Sequence, residues 1–387
     1  MIASASSSVA LSCMAQRAPV LFRLRMGAES SPPVPPRAWV EVDVGAVVRN
    51  AEALSRHARA PLIPMVKADA YGLGAVPVAR ALDRLDPFAF GVSSIPEGEE
   101  LRGAGITRPI LCFTPIGVDD LPRLRAASMT PTLSTAETIT AWTREGGAWH
   151  LAIDTGMHRA GVNWDQLDGL REPLAAHPPS GVFTHFHSAE ADDGSMERQE
   201  ERFRAALARL PERPTFVHAE NSAAIVRRGP SAWDAVRPGI FLYGVGSGPG
   251  AALQPEPVAG LHARVLELRD LAPGESVSYG ATWRARTARR IATVACGYAD
   301  GLRRALGNTA TALCHGHPVP IVGVVTMDMA MLDVTDVACG LGDTVTFLGR
   351  SGDARRTVEV VATSGGLSPY ELLTGLRLRL PRVHRGG

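Results

Sequence analysis

Residues 214–244 read PTFVHAENSAAIVRRGPSAWDAVRPGIFLYG, and this stretch decides the fold. PTFVHA (214–219) is a β-rich apolar run, NSAAIVRRG (221–229) opens on an Asn-Ser helix start and closes on glycine, and GIFLYG (239–244) is a second apolar run. A strand, a helix and a strand in about 30 residues form a parallel crossover unit. The same alternation extends back along the chain. LIPMVKA (62–68), FAFGVSS (88–94), PILCF (109–113), TPTLS (130–134), WHLAID (149–154) and GVFTHF (181–186) are further strand candidates. Helical patterns lie between them in IPEGEELRGAG, in LSTAETITAWTREG, after Asn163 and in ERQEERFRAALARL. Eight strand and helix units in about 200 residues predict an α/β fold, an N-terminal eight-stranded (β/α) TIM-like barrel, with a doubly wound open sheet as the alternative.

The barrel is expected to span residues 38–248 and to end at the loop GSGPGAALQPEP. Beyond it, ARVLELRDL, SVSYGATW, RRIATVACGYA, TALCHG, PVPIVGVVTMDMAMLDV and DTVTFLG alternate apolar and polar positions between Gly and Pro punctuation. A mostly β C-terminal domain over 249–387 follows. Residues 1–37 are rich in Ser, Ala, Arg and Pro and lack the apolar core of a targeting segment, so they read as a disordered tail or an over-long start before Met26.

Composition narrows the function classes. The chain's 387 residues are 45% hydrophobic and 20% charged, as in a packed globular protein. Its 40 basic and 39 acidic side chains nearly cancel, which leaves no basic field for nucleic acid or an anionic membrane surface. No apolar run reaches the roughly 18 residues of a membrane span. Cys13, Cys112, Cys296, Cys314 and Cys339 are odd in number and scattered, with no CxxC spacing, so neither a disulfide framework nor a metal site is indicated. A reducing cytoplasm is the expected location.

Among the 40 cations there is a single lysine, Lys67. Arginine cannot replace lysine where chemistry needs a neutral amine, because guanidinium stays protonated, whereas a desolvated lysine can lose its proton and form an imine. In a barrel, functional groups gather at the C-terminal strand ends. Here Lys67 ends the first strand, Asp154 and Arg159 follow the fifth, and His185 and His187 end the sixth. His218, Asn221 and Ser222 follow the seventh, and Arg237 opens the eighth. An imine-forming lysine beside an Asn-Ser helix start suits a phosphorylated aldehyde, and pyridoxal 5'-phosphate is the natural candidate.

The five tyrosines are Tyr71, Tyr243, Tyr279, Tyr298 and Tyr370, and three of them lie in turns of the β domain. A phenol has a reference pKa of about 10, so one acting as a base needs a cation or a buried hydrogen bond close by.

Together these residues resemble the alanine racemase family of fold-type III pyridoxal phosphate enzymes, from about residue 38 to 383. The motifs that carry the resemblance are WVEVDVGAVVRN, MVKADAYGLGA, HLAIDTGMHRAG, FTHFHSAE, HAENSAA, VRPGIFLYG, VSYGATW, ACGYADG, VVTMDM and PYELL. The resemblance implies a homodimer with shared active sites that racemises a free amino acid, most simply L- and D-alanine, and so supplies D-alanine for peptidoglycan precursors. It implies that Lys67 holds the cofactor as a Schiff base and is one of two catalytic bases. Tyr279, lent by the partner subunit, is the other. It also implies phosphate contacts from Tyr71, Ser222, Gly239, Ile240 and Tyr370, with Asn221 beside them. By the same resemblance Arg237 faces the pyridine nitrogen, His218 holds Arg237, and His185 orients Tyr279. Arg159, Tyr298 and Met327 bind the substrate carboxylate, with Asp328 in support.

Several positions depart from the family's pattern. Ala152 stands where a carbamylated lysine usually anchors the counterpart of Arg159, and a bound anion such as chloride is expected there instead. Leu73, Thr326 and Met329 replace a histidine, a cysteine and a glutamine, and His187 and Glu190 add polarity after the sixth strand. Serine or a larger amino acid is therefore an alternative substrate. Competing readings are a decarboxylase of the same fold type, for which Cys296 or Cys339 would have to supply a cysteine, and a non-enzymatic pyridoxal phosphate carrier. A metal-dependent barrel lacks clustered ligands in the sequence.

Overall fold

The computed structural model describes residues 36–248 and 250–386. The expected tail lies, up to residue 35, outside the described residues, as does Cys13.

Seven parallel strands follow one another around the N-terminal half: Phe90–Val92, Ile110–Cys112, Thr130–Leu133, His150–Asp154, Gly181–Phe183, Phe216–Asn221 and Ala235–Arg237. The gap between the last and the first is filled by residues 62–66. Leu62 bridges Val236 and Met65 bridges Gly91, both in parallel. Ile63 N donates to Val236 O at 2.8 Å, Met65 N to Pro238 O at 2.9 Å and Val66 N to Gly91 O at 2.9 Å. Pro61 and Pro64 have no N–H to give, so the closing segment forms bridges and not a full strand. The result is the expected TIM-like barrel, with both its closure and its helical crossovers.

Two expectations about the barrel need correction. GIFLYG is not the eighth strand: Ala235–Arg237 is, and Arg237 ends that strand instead of opening it, while Ile240–Tyr243 forms a 3-10 turn. Pro238 and Gly239 stop the ladder, and the turn is buried on every side, so its run of apolar residues is indistinguishable from a core strand. Lys67, likewise, does not end a strand. It opens the short helical turn Lys67–Gly72.

The C-terminal half is mostly β, and its principal sheet is organised around the long strand Ala259–Leu271. One part of that strand pairs with Thr344–Ser351 and the outer part with Arg289–Val294, the change of partner being absorbed by bulges. The N-terminal strand Ala38–Asp43, which the sequence assigned to the barrel side, joins this sheet. It runs antiparallel to residues 259–263 and parallel to Arg382–Arg385. No helix among the described residues is long and apolar enough to cross a membrane.

Candidate active site

At the C-terminal ends of the barrel strands lies a cavity of about 690 Å³. Lys67, Tyr71, Arg159, His185, Asn221, Ser222, Arg237, Gly239, Ile240 and Tyr370 all line it. Tyr370 arrives from the C-terminal helix Pro369–Thr374 of the same chain.

Lys67 is held at the rim by an uncommon backbone. Ala68, Asp69, Ala70 and Tyr71 have φ between 51° and 58°, four successive residues in the left-handed region. Each costs about 1–2 kcal/mol for a side chain with a Cβ, so the turn persists only because its neighbours fix it. Ala68 N donates to Glu97 Oε1 at 2.9 Å, Gly74 N to Asp69 O at 2.9 Å and Ala75 N to Asp69 Oδ1 at 2.7 Å. From the C-terminal half, Arg382 Nη2 donates to Gly72 O at 3.0 Å. Gly72 is required at φ 85°, since a Cβ there would meet Leu373 O at 2.5 Å. The Lys67 amine makes no hydrogen bond or ion pair among the described residues. Desolvation lowers its pKa, and the nearby Arg159 and Arg237 cations reinforce this against Glu97.

Beneath the cavity a chain of polar groups fixes Arg237, which is only 4% exposed. Its Nη1 donates to His218 Nδ1 at 2.7 Å, and its Nη2 to Thr184 O at 2.7 Å and to Ala219 O at 2.9 Å. Because guanidinium only donates, His218 Nδ1 accepts and the His218 proton sits on Nε2. That nitrogen lies 2.9 Å from His150 Nδ1, so His218 donates and His150 carries its own proton on Nε2. Gly181 makes room for the second ring: a Cβ there would lie 2.4 Å from His150 Cε1. Burial lowers the Arg237 pKa to about 9, which leaves it a cation at neutral pH.

Both histidines are neutral. Burial, helped by Arg237, takes His150 from 6.5 down to about 4 and His218 well below its ordinary value. The unfolded chain gains these protons as pH falls through about 6.5, while the native state resists, so stability present above that pH is lost progressively towards about 4. In urea unfolding, the midpoint is expected to fall across this window, and to fall less steeply in His150→Gln. Parallel curves for the two proteins would contradict the linkage.

His185 also has a pKa lowered to about 3, by burial and then by Arg237, Arg159 and Lys67. Its Nδ1 is 3.5 Å from Arg237 Nη2. Asn221 spends both ends of its amide internally: Oδ1 accepts from Ala224 N at 3.1 Å and Nδ2 donates to Phe186 O at 3.3 Å. It positions the neighbouring Ser222, whose Oγ accepts from Gly239 N at 2.9 Å. Tyr71 stacks on Tyr243, ring centroids 4.6 Å apart, and Tyr243 Oη donates to Met65 O at 2.8 Å. The Asp154 carboxylate accepts from Gly156 N and His158 N, shaping the loop that presents Arg159. Arg159 makes no ion pair or hydrogen bond among the described residues, and Ala152 lies in the same cavity.

The structure does not bring every expected residue to this cavity. His218 lies one layer below it and acts through Arg237. Tyr279, Tyr298 and Met327 do not line it in their own chain. They stand 73%, 42% and 53% exposed on the C-terminal half. Their loops are fastened together: Tyr298 N donates to Thr326 O at 3.0 Å, Ala299 N to Met327 O at 2.9 Å and Ser278 Oγ to Val324 O at 2.7 Å. Asp300, fully buried, receives Arg37 Nη2 at 2.8 Å and Arg379 Nε at 3.1 Å, and Arg379 also pairs with Asp328. Cys296 and Cys339, which a decarboxylase would have to present, are buried with thiol pKa values raised by desolvation. Sequence reading missed His150, Glu97 and Tyr243. The two-residue period of HLAID, which puts His150, Ala152 and Asp154 on one face, was the available signal for the first.

Comparison with known proteins gives this geometry its relatives. Residues 42–247 match the family described as alanine racemase, N-terminal domain, and residues 258–384 match alanine racemase, C-terminal domain. The alanine racemase of Symbiobacterium thermophilum is 38% identical over 365 residues, covering 90% of this chain and 97% of that protein. That of Sorangium cellulosum is 36% identical over 373 residues, covering 89% and 98%. Among solved structures, alanine racemase from Bacillus anthracis with bound L-Ala-P has a TM-score of 0.84 at 33% identity, covering 92% of this chain and 96% of the other. Alanine racemase from Bartonella henselae with covalently bound pyridoxal phosphate has a TM-score of 0.83 at 30% identity, covering 90% and 100%. With both halves matched in order, and relatives of this identity spanning nine-tenths of its length, the chain belongs to the alanine racemase family.

Proposed function

We propose that this chain interconverts L- and D-alanine with pyridoxal 5'-phosphate in the barrel mouth. Two chains form a homodimer that completes each site, Lys67 and Tyr279 being the two bases. The observation that carries the reading is the Lys67 amine: the chain's one lysine, desolvated, unpaired among the described residues and lining a cavity whose floor is a buried cation. The relatives' names supply alanine, the bound L-Ala-P of the Bacillus anthracis protein agrees with it, and the Bartonella henselae protein supplies the cofactor.

The residues present fit that cofactor. The Tyr71 hydroxyl has no hydrogen-bond partner among the described residues, and it faces Gly239 so closely that a Cβ there would lie 2.4 Å from it. With the Ser222 and Tyr370 hydroxyls and the backbone at Gly239 and Ile240, this makes a hydroxyl-rich cradle suited to a phosphate. Bound there, pyridoxal phosphate supplies an electron sink that allows a proton to leave the Cα of an attached amino acid. Gly239→Ala is expected to push Tyr71 against Tyr243 and weaken cofactor binding by about 1–3 kcal/mol, roughly fivefold to 150-fold. Unchanged affinity in a cofactor titration of the apoprotein would remove Gly239 from the cradle.

Lys67, its pKa lowered by desolvation and by its cationic neighbours, takes or returns the Cα proton on one face. The partner subunit's Tyr279 does the same on the other, and a base on each face gives inversion. Arg237, clamped by His218, Thr184 and Ala219 and still a cation at neutral pH, would keep a pyridine nitrogen placed beside it unprotonated and so limit carbanion build-up. His185, with Nδ1 turned to Arg237, has Nε2–H available to orient the incoming tyrosine. Arg159 binds the substrate carboxylate, and the partner's Tyr298 and Met327 close over it. Among the described residues no anionic side chain pairs with Arg159, and a chloride between residues 152 and 159 is the counter-ion that would take that place. A bromide soak is expected to give an anomalous peak there, and an empty map at that position would count against it.

The reading is tested by incubating the holoenzyme with single amino acids in heavy water. Deuterium is expected at Cα with loss of optical rotation, fastest for alanine. Faster exchange of serine or a larger amino acid would reassign the substrate, and carbon dioxide release would reassign the reaction. Racemisation of alanine would place the enzyme at the supply of D-alanine for peptidoglycan, in the cytoplasm.

A further inference from the structure

Far along the sequence from the residues of the barrel mouth, the C-terminal sheet gathers a second set of reactive side chains. Cys314 ends the strand Thr311–Cys314, His315 and Gly316 form the two-residue turn, and His317 opens the returning strand. Next to this hairpin the loop before Thr344–Ser351 supplies Cys339 and Asp343, and Cys314 is directly paired with Val345. The Cys314 sulfur, a His315 ring nitrogen and an Asp343 carboxylate oxygen all lie within 4.8 Å of one another. His315 Nε2 is 2.7 Å from Asp343 Oδ2, and Gly340 N fixes the same oxygen at 2.7 Å. Cys339 is a buried neighbour of Cys314 and lies outside that group of three.

Two thiols are buried side by side, and His315 holds φ 48° at a turn position where Asn or Gly is the usual residue. We propose that Cys314, His315 and Asp343, with the Cys339 side chain swung in as the fourth donor, form a binding site for one zinc ion, which fastens the 311–320 hairpin to the loop before Thr344–Ser351. Two sulfurs, an imidazole and a carboxylate are a tetrahedral donor set for zinc, and the thiolates favour it over magnesium or calcium. The ion has a route in, since Cys339 lines a shallow surface hollow with Arg290 and residues 335–340. Arg290 offsets the negative charge that two thiolates and one carboxylate leave beside a dication. On binding, both S–H bonds break, two S–Zn bonds form and the two protons pass to buffer. His315 moves its remaining proton to Nδ1 and coordinates through Nε2. The wide spacing of these cysteines concealed the site in the sequence.

The experiment titrates reduced, metal-free holoenzyme with Co²⁺ alone and then displaces it with Zn²⁺. One cobalt per chain is expected, with the strong visible bands of a tetrahedral ion, a thiolate-to-cobalt charge-transfer band and release of about two protons per ion. Cys314→Ser and Cys339→Ser should each lose charge-transfer intensity, and the double variant should abolish it. His315→Ala, at an exposed turn where folding is not at stake, should weaken cobalt binding at least about 100-fold. Racemisation should be unchanged in all of them, which separates this site from the barrel mouth. Weak octahedral bands, binding indifferent to the cysteine variants, or a Cys314–Cys339 disulfide that persists under reduction would each overturn the proposal.

Discussion

Lys67→Ala is expected to lose racemisation and the visible absorption of the lysine-bound cofactor together. The fall in rate should exceed about 10⁴-fold, the upper end for a single proton-transfer group, because the same amine also attaches the cofactor covalently. No other side chain can take over, since the chain has no second lysine. Lys67→Arg should be as inactive as Lys67→Ala: a guanidinium stays protonated and cannot form the imine, whereas the environment here lowers the pKa of an amine. Absorption spectra of the two variants check this, and a visible band retained in either would mean that the cofactor is bound through another group.

Tyr279→Phe is expected to lower the rate by about 10² to 10⁴-fold, the worth of a positioned base. The loss in kcat/KM must be equal in the two directions, because enantiomers have the same free energy. The informative signature is isotopic. With Lys67 intact, the enantiomer whose α-proton faces Lys67 should still exchange that proton with heavy water while keeping its configuration. The other enantiomer should neither exchange nor invert. Exchange of both enantiomers at wild-type rates would remove Tyr279 from the proton path.

The parts of the molecule that were legible in the sequence are those set by local chemistry. Lys67 stood out because every other strong cation is arginine, and the Asn-Ser pair of HAENSAA announced a helix start that Asn221 does cap. Strand spacing was enough for a closed barrel. What escaped depended on distant partners. The strand Ala38–Asp43 is committed to the C-terminal sheet by pairing with residues more than 200 positions away, which no local pattern encodes. The eighth strand was placed at GIFLYG because a fully buried 3-10 turn has the same apolar run as a core strand. The left-handed turn at residues 68–71 contains no glycine to announce it; it is held by Glu97, Asp69 and Arg382. In the sequence His150 is one more strand residue; its role comes from His218 and Arg237, which fix its proton.

Completion of each barrel mouth by tyrosine from a second chain, as proposed, is tested most directly by complementation. Lys67→Ala and Tyr279→Phe proteins, each inactive alone, are unfolded together and refolded as a mixture. In a mixed dimer with shared sites, one site carries both substitutions and the other carries neither. Activity should therefore return to about a quarter of the wild-type value, for half of the dimers are mixed and one of their two sites is intact. A mixture that contains mixed dimers yet remains as inactive as its components would contradict the claim.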